Sequence, residues 1–190
     1  MGREESAMET IDASAESGLK WFVMRDLKRP NAKEPAYKVL PSLGFEVFTP
    51  MRVTLRVRRG RRERVETPFL GDLLFVHSDR VSLDPVVERT PTLQYRFLRG
   101  TYREPMTVPE AQMEAFVSAV RSCPSPMYFA PGEVTASMLG RRVAVVGGPL
   151  DGREGRLLAV RGSRARRLLV EIPGIIAAAV ETSPEFIRLL

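Results

Sequence analysis

Few side chains in this chain have the types and spacing that covalent chemistry requires. One histidine, His77, and one cysteine, Cys123, occur among 190 residues. His77 follows the run "LLFV" with Asp72 and Asp79 near it in sequence, but no nucleophile motif accompanies it. A histidine at a strand end reads as a surface or capping group. Cys123 lies in a proline-rich stretch without a second histidine to activate its thiol. A single cysteine makes no internal disulfide, which fits a reducing compartment. One cysteine plus one histidine fall short of the four nitrogen or sulfur ligands of structural zinc. The segment "VVGGPLDGREG", residues 145–155, lacks the Lys-Ser or Lys-Thr pair of a phosphate-binding loop. No enzyme, metal or cofactor is expected.

What the chain concentrates instead is positive charge. Residues 52–64, "RVTLRVRRGRRER", hold seven arginines and one glutamate, a net +6 that equals the charge of the whole chain. Arg56, Arg58, Arg59, Arg61, Arg62 and Arg64 would form the electrostatic footprint of a nucleic-acid contact, because neutralised phosphates release counterions. A solvated hairpin whose charge guards its edges against aggregation is the other reading. A second cluster, "RGSRARR", places Arg161, Arg164, Arg166 and Arg167 on a loop that either meets RNA or is a solvated turn.

The elements that must carry these groups follow from periodicity. Residues 1–17 have acidic groups and no apolar stretch of the secretory type, and read as a disordered tail. No run of eighteen apolar residues suggests a membrane span. "LKWFVMR" suits a buried strand. Ala36, Tyr37, Val39, Leu40 and Leu43 form a short helical stripe that Pro41 kinks or ends and Gly44 stops. Around Arg59 to Arg62 the period-two pattern predicts a β-hairpin, with Val53, Leu55 and Val57 on one side and arginines on the outer side. "FLGDLLFVH" reads as a central strand covered on both faces. "LDPVVERTP" predicts a short helix capped by Asp84 with Pro85 at its first position. "LQYRFLRG" is a further strand. Met113, Phe116, Val117 and Val120 mark an amphipathic helix after Pro109. Residues 123–138, with three prolines, mark a domain boundary. Four or five short β runs then suggest a small barrel.

Strand, "GGPLDGREG", strand is similar to the KOW motif, carried here by Gly147, Gly148, Pro149, Gly152 and Gly155. An N-terminal α/β part with "WFVMR" and "TPFLGDLLFV", a strand ending "FLR", a helix, a proline-containing linker and this motif together resemble the NusG family of transcription elongation factors. "RRGRRERVETPFLGDLLFVH", "PMTVPEAQMEAF" and "RRLLVEIPGIIAAAVE" are most similar to its UpxY-type, RfaH-like specialised antiterminators. The resemblance covers about residues 19–190.

It implies an α+β N-terminal NGN domain at 18–124, a four-stranded antiparallel sheet flanked by helices. A linker at 125–138 would join it to an all-β, SH3-like KOW barrel at 139–190. It also implies an apolar depression for the clamp helices of RNA polymerase's largest subunit, with Arg25, Leu70, Leu73, Phe75 and Phe97 at the matching positions. Phe75 and Phe97 read equally as core. Thr90 is what survives of a His-Thr-Thr contact to the opposite jaw, where this chain has Glu88, Arg89 and Thr90. Non-template DNA or nascent RNA is implied near the basic loops. General members carry a Phe-Gly-Arg turn for Rho and a ribosomal protein. Here Ile172, Pro173, Gly174 and Ile175 stand in its place, so the contacts with Rho and the ribosome are either lost or rebuilt from apolar residues. "IIAAAVE" has helical propensity that leaves a fold switch open beside a permanent barrel. The resemblance implies a monomeric, cytoplasmic antitermination or elongation factor acting on specific operons, without membrane or cofactor. An RNA- or ribosome-binding KOW protein without a polymerase partner is the competing reading.

Overall fold

The computed structural model describes residues 18–28, 34–160 and 162–190. The expected tail, residues 1–17, and Arg161 lie outside the described residues. In chain order the elements are β1 (Lys20–Asp26), α1 (Ala36–Ser42), β2 (Glu46–Phe48), β3 (Met51–Arg58), β4 (Arg61–Pro68), β5 (Leu73–Ser78), α2 (Arg80–Arg89), β6 (Leu93–Tyr95), β7 (Thr107–Val108), α3 (Glu110–Arg121), β8 (Met127–Phe129), β9 (Leu139–Val145), β10 (Glu154–Leu158), β11 (Arg167–Ile172), β12 (Ile176–Glu181) and β13 (Ile187–Leu189).

The N-terminal sheet runs β2-β5-β1-β6, with β7 also pairing β1, so it has five strands where four were expected. All its pairings are antiparallel. β5 lies between β1 and β2, and it reads as a continuous apolar run because both of its faces are covered. Leu73 and Phe75 join Trp21, Val23, Phe48 and Val108 on one face. Leu74 and Val76 join Phe22, Met24, Leu93 and Tyr95 on the other. α3 covers the first face with Met113, Phe116 and Val120. α1, through Ala36 and Leu40, and α2, through Leu83, cover the second.

Helix starts differ from expectation where proline misleads. α2 begins five residues earlier than predicted. Asp79, not Asp84, is its N-cap, accepting from the Ser82 amide at 2.8 Å, and Pro85 sits inside the helix. α1 starts after Pro35, which has no side-chain acceptor of its own. The buried Asp26 carboxylate at the end of β1 takes that role, accepting from the Ala36 amide at 2.6 Å and the Lys28 amide at 3.0 Å. An otherwise unpaired helix-start donor is thereby tied to the central sheet.

The C-terminal sheet has six antiparallel strands in the order β13-β9-β10-β11-β12-β8. Its edge strand β8 comes from the stretch expected to be a linker and pairs with β12 from Ala177↔Phe129 to Ala179↔Met127. Gly155 sits where β10 and β11 approach closely. A Cβ there would lie 2.9 Å from the Leu168 side chain and 3.1 Å from the Leu169 carbonyl. β3 and β4 pair only with each other, from Met51↔Pro68 to Arg58↔Arg61, and form a ribbon outside both sheets. No helix among the described residues is long and apolar enough to cross a membrane.

Candidate functional site

One apolar cluster joins the two halves of the chain. Leu73, Phe75, Phe48 and Phe116 belong to it together with Ile172, Ile175, Ile176 and Ala178 of the C-terminal sheet. Phe69 and Leu70, in the loop between β4 and β5, pack at its edge, as do Tyr128 and Val170. The Phe69 and Tyr128 rings lie 5.5 Å apart, and the Arg52 guanidinium sits 5.5 Å from the Phe69 ring. Burial pushes the Tyr128 phenol up to about 12, with a smaller contribution from Cys123. α3 is the shared layer: Met113, Phe116 and Val120 meet the N-terminal sheet, while Ala119 and Cys123 join Val143, Val145, Leu168 and Val180. A groove of about 790 Å³ opens beside this seam, lined among others by Gln112, Phe116, Arg142, Arg156 and Ile175.

The expected site residues divide between places. Leu73 and Phe75 are core, 2% and 0% exposed. Leu70 is half-buried at the rim of the same cluster. Arg25 pairs in register with Leu73 and extends into solvent, where its Nε donates to Asp72 Oδ2 at 3.0 Å. Arg96 donates to the same oxygen at 3.3 Å. Phe97 stands apart: its ring tilts against Tyr95, which belongs to the opposite apolar cluster, and it is 46% exposed. Thr90 is also elsewhere, capping the C-terminus of α2. On that same side Arg80 donates to Asp84 at 2.7 Å and lies 4.9 Å from the Tyr95 ring, whose hydroxyl donates to Asp84 at 2.7 Å. The Arg80 hydrogen bond holds the Asp84 carboxyl below its usual range, and burial raises the Tyr95 phenol.

His77 does not meet Asp72 or Asp79. It stacks on Trp21 at 4.9 Å between ring centroids, with Nδ1 3.3 Å from Glu46 and Nε2 3.1 Å from Glu110. The Trp21 indole also donates to Glu110, at 3.0 Å. This group ties the first turn of α3 to β1 and β5. Sequence reading missed it because Glu46 and Glu110 are distant in the chain and only the strand register brings them together. Among the described residues no group of His, Cys, Asp and Glu side chains has the makings of a metal site.

The ribbon keeps all seven of its arginines in solvent, and the apolar row on its other side is exposed as well. Val53, Leu55 and Val57 are 61%, 67% and 72% exposed. The ribbon projects beyond both sheets, so neither of its faces has a layer to bury against. Arg164 and Arg166 are likewise exposed before β11, whereas Arg167 is half-buried and pairs with Glu181 at 3.7 Å. In the glycine-rich segment, Gly147, Gly148 and Gly152 have φ of 92°, 72° and 75°, conformations that side chains rarely adopt.

Among curated proteins none matches. A solved structure reported as "Domain interaction in Thermotoga maritima NusG" is similar over 90% of this chain and 97% of that one, at 14% sequence identity and a TM-score of 0.42. The family model described as transcription termination factor NusG matches residues 19–117, from the first strand into α3. That span is more than half of the 190 residues, and the chain belongs to the NusG family of transcription factors.

Proposed function

We propose that this chain is a specialised, UpxY-type elongation and antitermination factor that binds the clamp helices of RNA polymerase and promotes processive transcription of specific operons. In this reading residues 18–124 are the polymerase-binding NGN domain, 125–138 the linker and 139–190 a KOW domain. The family match over residues 19–117 supports it. The observation that carries the site is the apolar rim of Phe69 and Leu70, packed against the cluster that holds the buried Leu73 and Phe75, with Arg25 in register with Leu73. Leu73 and Phe75 shape the floor, and the surface offered to a partner is the rim.

The Ile172–Ile176 turn rests against this same cluster. Polymerase and the C-terminal sheet would therefore compete for one apolar face. Binding draws on the form in which they have separated, and affinity falls by the fraction that is closed. Phe97 and Thr90, on the other side of the sheet, would make any further polymerase contact.

The test is retention of purified RNA polymerase on the immobilised full chain after nuclease digestion. The proposal expects retention, and loss of it in Leu70→Asp. Release of polymerase by digestion, or full retention by a folded Leu70→Asp chain, would overturn it. Retention of RNA or ribosomes alone would instead favour an RNA-binding protein without a polymerase partner.

A further inference from the structure

The β3–β4 ribbon gathers seven arginines within residues 52–64, a density found nowhere else in the chain, whereas five arginines elsewhere each hold a carboxylate. Arg25 and Arg96 share Asp72, Arg80 holds Asp84, Arg142 lies near Glu154, and Arg167 near Glu181. On the ribbon, Arg56, Arg58, Arg59, Arg61, Arg62 and Arg64 form no ion pair among the described residues. Glu63 faces Arg56 directly in register and still makes none.

The tip adds unfavourable features that folding does not require. Arg58 stands opposite Arg61, a cross-strand pair of like charges. Arg59 occupies a turn position at φ 49°, a region where glycine or asparagine would be the ordinary choice. All four tip arginines, 58, 59, 61 and 62, are exposed. A polyanion laid against them would offset the repulsion.

We infer that this ribbon is a docking arm for double-stranded DNA. Charge complementarity selects nucleic acid, because six guanidiniums without a carboxylate partner among the described residues lie along two eight-residue strands and the turn that joins them. Duplex is favoured over single strand because residues 51–68 contain no aromatic side chain on which unpaired bases would stack. B-form DNA is favoured over duplex RNA because its major groove admits a two-stranded ribbon, whereas the deep RNA groove does not admit side chains. The ribbon belongs to neither sheet, so docking disturbs no core. The inference stands apart from polymerase binding, and its test contains no polymerase.

Full-length chain is titrated onto a labelled DNA duplex of about 20 base pairs, its single strand, and the matching RNA duplex, at salt from about 50 to 200 mM. One variant carries Arg58, Arg59, Arg61 and Arg62→Gln. A control carries the same charge loss at the exposed Arg99, Arg121, Arg141 and Arg188→Gln. Trp21 emission verifies that both are folded. DNA duplex is expected to bind most tightly, and the arm variant should lower the slope of log affinity against log salt by about three to four while the control keeps it. Equal slopes for the two variants, or equal affinity for single-stranded and double-stranded DNA, would overturn the arm.

Discussion

Ile175→Ala loosens the contact between the two halves at a single side chain. Ile175 sits in the turn between β11 and β12, is 5% exposed, and belongs to the cluster that contains Leu73, Phe75 and Phe116. Truncating a buried isoleucine to alanine costs about 2 kcal/mol or more. If that cost falls on the closed form alone, the open fraction rises roughly 30-fold, since 1.4 kcal/mol is tenfold. Cys123 reports the change. It is the chain's single cysteine and is buried where the end of α3 meets Val143, Leu168 and Val180. Ala119 of α3 and Cys123, just past the helix's C-terminal cap, are what this part of the chain contributes to that cluster, so separating the halves uncovers the thiol. The assay is the rate of modification by a soluble thiol reagent in native buffer. Ile175→Ala should react about 30-fold faster than the parent, with unchanged far-ultraviolet circular dichroism. An unchanged rate in the folded variant would refute the idea that this turn holds the halves together.

Three further outcomes follow from single contacts. Asp26→Ala removes the acceptor of the Ala36 and Lys28 amides and should cost about 1–3 kcal/mol, read as a lower midpoint in urea with unchanged slope. Gly155→Ala places a Cβ against the Leu169 carbonyl and the Leu168 side chain, and should destabilise by about 1–3 kcal/mol in the same assay. Tyr95 and Tyr128 are both raised above the ordinary tyrosine value, so the stability they contribute is complete below about pH 10 and is lost as pH rises towards their folded values, about 12 for Tyr128. Tm should fall above pH 10, and Tyr128→Phe should blunt the fall; an equal fall in both proteins would contradict the assignment.

Much of the fold was legible because it rests on local period. β1, β5 and α3 followed from apolar runs and spacing, and the Arg59-Gly60 turn from its flanking alternation. α2 was misplaced because Pro85 resembles a first-turn proline, whereas the controlling signal is Asp79 with Ser82 three residues later. The exposure of the ribbon's apolar row could not be read from the sequence, because alternation records which residues share a side, not whether a layer exists to cover it. Contacts across long sequence separation left no local trace. The Trp21–His77–Glu110 group and the burial of Leu73 and Phe75 near Ile172 and Ile176 arise only when strand register and domain packing are both set. Arg25 sits in register with Leu73, whose amide donates to the Leu70 carbonyl, whereas Phe97 packs on Tyr95 of the other apolar cluster and Thr90 ends α2.

The central claim is that the Phe69 and Leu70 rim grips RNA polymerase once the C-terminal turn has left it. Affinity of purified polymerase for three full-length chains measures this directly. The order predicted is Ile175→Ala tightest, the parent next, and Leu70→Asp weakest by at least about tenfold, or 1.4 kcal/mol. Equal affinities for all three folded chains would contradict it.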